Sequence, residues 1–411
     1  MTSRERLLAA WNGTAADHAP LTPWCFGLRA PEHLRWTTDD LERRFWYSLR
    51  MEHIHTLPQP WTLDDDFRRV LAWQKLGVDD LLDVSVPWSV DPEVTWTDAK
   101  RSAGTMDPRY PVLIRDYRTP SGELRHAVRR TGENPGQGWV VQPDHVPLFE
   151  DFNIPRAVRH AVTGPEDIPT IRHLYRPPDA AARAAFQERM DKVKPFADDH
   201  SVAVQAWSAF GMDAAVWLAG TEGSILLAIA EPEAFARLME IIAETDLART
   251  ELAASTPGVD LIAMRGWYSS TDFWSPKLFD QHVYPHVASI ARVAHRHGKK
   301  LAYVMTTGVQ VLGPRLADAD VDLLCFIDPV QDKMTVERAR ELLGGRMTLA
   351  GGVSALTLQS ADASLIRDEV RRALDVLGPT RRFILHPVDA LFPDTPWRGV
   401  ETLIRAWEEY R

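Results

Sequence analysis

The chain has 411 residues, long for one core, so a single large domain with insertions and a two-domain protein are both open at the outset. Its net charge of −10 argues against a nucleic-acid binder, because phosphate neutralisation needs clustered Lys and Arg. Two cysteines, Cys25 and Cys325, exclude a disulfide framework or a four-thiolate metal cluster, and no apolar run approaches the roughly 18–20 residues that span a membrane.

In chain order, residues 2–11 read as a helix, capped by Thr2 or Ser3, with Leu7, Leu8 and Trp11 on one face and Gly13 as its stop. This N-terminus lacks the apolar core of a signal peptide, so a cytoplasmic location is expected. A short strand follows at 21–26. Residues 39–55 and 64–76 have helical periodicity, and VDDLLDVSV supplies a second apolar strand. Residues 92–147 differ in character: 94–96, 111–117 and 124–130 alternate like strands, and Thr119-Pro-Ser-Gly122 has the composition of a hairpin turn. They follow one another without helices, which predicts an antiparallel β-hairpin insertion. Its Pro/Gly/Asn-rich tail, 132–147, reads as a loop that either covers the site or connects.

From Gly164 onward the pattern is regular. Strands are expected at 201–208, 259–264, 300–304, 321–327, 347–350 and 382–385. Helices are expected at 178–196, 232–255, from Pro276 through Ala294, and at 309–316, 336–343 and 365–377. Strands separated by helices mean βαβ units and a parallel sheet. With the early strands the count reaches eight, which predicts an α/β fold, a (β/α)8 TIM barrel forming one domain over 1–411. A doubly wound open sheet is the alternative, but no GxGxxG follows an early strand.

In such a barrel the chemistry lies at the C-terminal ends of the strands. That makes the polar tips a shortlist: Cys25, Ser208, Trp267, Tyr268, Asp272, Met305, Thr306, Thr307, Asp328, Gln331, His386 and Asp389. Asp328 before Pro329 also suits a plain turn, and Gly351-Gly352 suits either an anion cradle or a tight turn. His386 and Asp389, three residues apart past the last strand, are the leading catalytic candidates. An imidazole beside a carboxylate serves as acid and base, as a metal-ligand pair, or as a structural hydrogen-bonded pair. Fifteen tryptophans suit a mouth that holds a flat or apolar ligand.

SRERLLAAWNGTAADHAPLTPW, DYRTPSGEL, STDFWSPKLFDQHVYPHVASIARVAHRHGKKLAYV and RRFILHPVDALFPDTPW together resemble the uroporphyrinogen decarboxylase superfamily, which includes cobalamin- and coenzyme M-linked methyltransferases. The resemblance implies a (β/α)8 barrel with its cleft at the C-terminal face, and a homodimer. Uroporphyrinogen decarboxylases carry Arg-Gln-Ala-Gly-Arg after the first strand. This chain has CFGLRAPEHLRW, which leaves Arg29 and Arg35 as candidates to hold a substrate carboxylate. The zinc-dependent methyltransferase branch uses His-x-Cys and a distant Cys. Those positions fall on Met305, Thr307 and Asp389, so no resident metal is expected. The decarboxylases' catalytic His also falls near Asp389.

The reading that follows is an enzyme acting on a small organic substrate by methyl transfer or demethylation, with a corrinoid protein as partner. Asp389 and His386 are its candidate catalytic residues. Arg29, Arg35, Trp267, Tyr268, Asp272, Met305, Thr307, Asp328 and Gln331 are its candidate substrate contacts. The alternatives are a lyase, decarboxylating or cleaving a carbon bond with Asp389 and His386 as acid and base, and a non-catalytic ligand-binding barrel.

Overall fold

The computed structural model describes all residues except 26–27, 29–30, 32–33, 35–62, 102–109, 131–144, 389 and 393. Arg29, Arg35, Asp389, the expected helix at 39–55 and nearly all of the loop at 132–147 therefore lie outside the described residues.

The chain starts with helix α1 (Ser3–Asn12), closed at its N-terminus by a capping box in which Thr2 and Glu5 satisfy each other's backbone N–H groups. Helix α2 (Leu63–Lys75) precedes β1 (Leu81–Ser85). Four strands then form an antiparallel sheet of their own: β2 (Thr95–Arg101), β3 (Val112–Thr119), β4 (Gly122–Arg129) and β5 (Ala157–Arg159). The expected hairpin is its centre, with Thr119 paired to Gly122 across the turn. The sheet is one strand wider than the alternating pattern shows, because β5 is only three residues long and lies beyond the loop.

The remaining strands are β6 (Ala203–Ala209), β7 (Leu261–Arg265), β8 (Lys300–Val304), β9 (Leu323–Ile327), β10 (Thr348–Ser354) and β11 (Phe383–Val388). With β1 they make a curled, seven-stranded parallel sheet in the order β1-β6-β7-β8-β9-β10-β11. The Pro20–Thr22 backbone contacts both edges of it. Leu385 of β11 donates its N–H to the Pro20 carbonyl (2.9 Å), Thr22 donates to the Leu385 carbonyl (3.0 Å), and Asp79, just before β1, donates to the Leu21 carbonyl (3.0 Å).

Residues alternate along the strands between two apolar layers, as the period of two requires. Leu261, Ala263, Ala302, Val304, Leu323 and Cys325 face the inside of the curl. Ile262, Met264, Leu301, Tyr303 and Leu324 face the surrounding helices. Leu7, Ala10 and Trp11 of α1 pack into the inner layer. Arg6 locks α1 there, bonding Asp79 at 2.5 Å and Asp17 at 2.7 Å.

Helices α3 (Ile168–Leu174), α4 (Ala180–His200) and α7 (Pro232–Ser255) belong to the half of the chain that carries β6 to β11, in which two other helical regions depart from expectation. The single helix expected from Pro276 through Ala294 is two, α8 (Pro276–His282) and α9 (Tyr284–Arg296). Pro285 has no N–H to give to the Gln281 carbonyl, so the ladder breaks there. Helices α5 (Met212–Ala219) and α6 (Thr221–Ala230) have no counterpart in the sequence reading. Every residue of α5 is buried, so it has no amphipathic stripe to detect, and Gly220 at φ +74° turns the chain into α6 at 104°. Among the described residues no single helix is long and apolar enough to cross a membrane.

Candidate active site

The inner layer of the curled sheet encloses a cavity of about 50 Å³, lined by residues of β1, β6, β9 and β11 together with Trp24 and Trp11. Its polar wall comes from positions where the inward alternation places a hydrophilic side chain. Asp83 of β1 accepts hydrogen bonds on one oxygen from Gln205 Nε2 (2.8 Å) and Trp207 Nε1 (2.5 Å), both on β6. Two donors on a single oxygen fix the plane of this buried carboxylate.

Aromatic rings form much of the rest of the wall, with Leu81, Val304, Leu323, Ala350 and Ile384 between them. Trp24, Trp207 and Trp267 lie within 10–26° of parallel, with centroids 5.5–5.9 Å apart in all three pairs. Centroids that close in every pair make an offset cluster of indoles, not a column. Phe326 sits 6.1 Å from Trp24 and 4.5 Å from His386. His386 lines the same cavity, and its Nδ1–H donates to the Pro387 carbonyl at 2.6 Å. Burial pushes its imidazole down to about 3, so it stays neutral across the physiological range. Cys325 faces the cavity too, its thiol pushed up to about 12 by burial and the nearby Asp83.

The structure thus places His386 on the cavity wall, packs Trp267 against the wall residues Trp24 and Trp207, and distributes the other described candidates elsewhere. Met305 is fully buried in the outer layer, among the helices. Asp272 is exposed and accepts from the Thr307 hydroxyl at 2.5 Å. Asp328 is buried and accepts from the backbone N–H groups of Val330 (2.7 Å) and Gln331 (3.1 Å), the arrangement of a turn, while Gln331 itself is exposed. Tyr268 directs its phenol to Asp151, and its N–H donates to Asp213 at 3.0 Å. Ser208 pairs with Thr250 behind the sheet, and the Cys25 thiol lies in the outer layer, raised by burial. Gly351 and Gly352 have φ of +140° and +95°; a Cβ on Gly351 would stand 2.4 Å from the Ile327 carbonyl, so the pair serves close strand packing.

Sequence reasoning missed Trp24, Asp83, Gln205 and Trp207. One signal existed: Asp83 and Gln205 interrupt otherwise apolar strands at the inward register. Among the described residues no three His, Cys, Asp or Glu side chains converge on a point that could hold a metal ion.

No curated protein sequence matches the chain. Among solved structures, a methyltransferase from Methanosarcina mazei superposes with a TM-score of 0.57 at 17% identity, over 100% of this chain and 99% of its own, which is a likeness of fold. The uroporphyrinogen decarboxylase (URO-D) family profile matches residues 175–410, more than half of the chain and the stretch that carries β6 to β11. On that match, the chain is a member of the uroporphyrinogen decarboxylase family.

Proposed function

We propose that the chain is a methyltransferase of this superfamily that takes a methyl group from, or gives one to, a small organic substrate held in the Trp24–Trp207–His386 cavity. A corrinoid protein is its partner. We read the fold as a (β/α)8 barrel, with the Pro20–Cys25 segment in the eighth position; the backbone bonds from both edge strands to that segment support this. The observation that carries the functional reading is the size and lining of the cavity. About 50 Å³ walled by indoles accepts a methyl-bearing head of a few heavy atoms. A corrinoid is far larger, so it would meet this head at the rim while still on its carrier.

The chain's own residues contribute binding and orientation. The stacked indoles exclude water, Asp83 and Gln205 present fixed polar atoms, and neutral His386 accepts or donates a hydrogen bond without carrying charge. Its neutrality does not favour the acid–base lyase. We further expect the protein to act as a homodimer in the cytoplasm, with residues 1–411 as one domain.

The reaction class is tested with ¹³C-methyl-labelled small methyl ethers, amines and thioethers and a reduced corrinoid carrier, followed by NMR. The proposal expects label on the corrinoid only when the protein is present. Release of labelled carbon dioxide from carboxyl-labelled substrates without any corrinoid would overturn it in favour of the lyase.

A further inference from the structure

Beside the cavity lies a cluster of charges whose burial calls for an explanation. Arg265, the last residue of β7, is 1% exposed. Its guanidinium carbon stands 4.6 Å from the centroid of Trp217 and 4.6 Å from that of Trp267, so it has an indole on each side. Its donors go to two carboxylates. Nε donates to Asp213 Oδ2 (3.1 Å), and one Nη donates to both oxygens of Asp151 (3.0 and 2.8 Å). Asp151 also accepts from Trp217 Nε1 at 2.8 Å, and Asp213 accepts from the Tyr268 N–H. The strand tip itself is pinned from behind: a Cβ on Gly266 would collide with the Tyr303 ring at 2.3 Å, and Tyr303 bonds Ser269 at 2.6 Å.

Two buried charges, Arg265 and Asp213, beside a partly exposed Asp151 are a poor way to gain stability, since apolar side chains of similar volume commonly do as well. What they do supply is geometry. A guanidinium is planar, stacks on both faces and forks to two acceptors, none of which a Lys or Met reproduces. We propose that Arg265 is a positioning residue of the cavity: held by Asp151 and Asp213 and stacked between Trp217 and Trp267, it sets the plane of Trp267 and thereby the indole wall that Trp267 forms with Trp24 and Trp207. The importance of that wall for substrate rests on the function proposed above; the geometry of the clamp does not.

The clamp has a titratable member. Asp213 is fully buried and faces Arg265, Asp151, the Tyr268 phenol and N–H, and Tyr303. Burial raises its carboxyl to about 6 against the opposing pull of Arg265. Protonation there weakens one of the two anchors and leaves Asp151 in place.

The test compares wild type with Arg265→Lys and Asp213→Asn by near-ultraviolet circular dichroism, which reads how rigidly the indoles are held in asymmetric surroundings and needs no substrate. Far-ultraviolet dichroism checks that each variant is folded. Arg265→Lys is expected to lose the indole signal. The wild-type signal is expected to weaken as pH falls through about 6, and Asp213→Asn to remove that dependence. If Arg265→Lys fails to fold, Asp213→Asn alone decides. An unchanged signal in folded Arg265→Lys, or a pH dependence retained in Asp213→Asn, overturns the clamp. In the methyl-transfer assay Arg265→Lys should raise KM by about tenfold with little change in kcat, the pattern of lost ground-state positioning. A lost indole signal with unchanged KM would keep the clamp and reject this wall as the substrate site.

Discussion

Replacing His126 with Leu should make the protein more stable, and more so in acid. His126 lies on β4 and is fully buried, and among the described residues neither ring nitrogen has a hydrogen-bond partner. An unsatisfied buried polar group costs about 1–3 kcal/mol, which an apolar side chain of similar size does not. Burial, with His160 and Arg115 nearby, pushes the imidazole from 6.5 down to about 3. The sign follows from linkage. Above pH 6.5 neither state takes a proton, so titration contributes nothing. Below it the unfolded chain gains a proton that the folded chain refuses, and stability falls until the folded value is reached. At pH 5 the difference is about 1.5 units, or about 2 kcal/mol at 1.36 kcal/mol per unit. His126→Leu is therefore expected to gain about 1 kcal/mol at pH 8 and about 3 kcal/mol at pH 5. Urea unfolding at the two pH values, followed by tryptophan fluorescence, measures both. An equal gain at both pH values would refute the titration argument, and a loss at pH 8 would show that the ring does have a partner.

Gly351→Ala should destabilise by several kcal/mol, since it combines φ +140° with a Cβ 2.4–2.5 Å from the Ile327 backbone. Gly345→Ala, with nothing within 4 Å of its Cβ, is the harmless control, and thermal melts compare the two. Trp11→Ala should empty the α1 side of the inner layer at a cost of about 3–5 kcal/mol, read by the same melts; a change under about 1 kcal/mol would mean that α1 is not part of the core.

The parallel strands were legible because each is an apolar run between helices with one apolar stripe, as in α9, where Val287, Ile290, Ala291 and Ala294 are buried together. Helices α5 and α6 were not: burial on every side erases the stripe of α5, exposed Leu226 and Ile229 blur that of α6, and Gly211, Gly220 and Gly223 resemble loop punctuation. The site was only half legible. Reading polar tips past the strand ends selected His386, which lines the cavity, and Trp267, which packs against its Trp24 and Trp207. The same rule also selected Asp328, whose bonds are those of a turn, Thr307 and Asp272, which bond each other at the surface, and Met305, which the strand alternation turns outward. Asp83, Gln205 and Trp207 lie within strands, at registers that only the pairing of β1 with β6 brings together: Asp83 opposite Gln205, two pairs before Ser85 opposite Trp207. Trp24 joins them by a fold-back from the N-terminal segment that no local pattern announces.

Methyl transfer by Trp207→Leu, measured against wild type under single-turnover conditions, tests the central claim most directly. Trp207 stacks on Trp24 and Trp267 and donates to Asp83, so its loss disorders the cavity wall while the outer layer stays intact. The account predicts a folded protein whose rate falls by about a hundredfold, as for a reactant displaced by about 1 Å. A folded variant that transfers methyl at the wild-type rate would place the chemistry elsewhere.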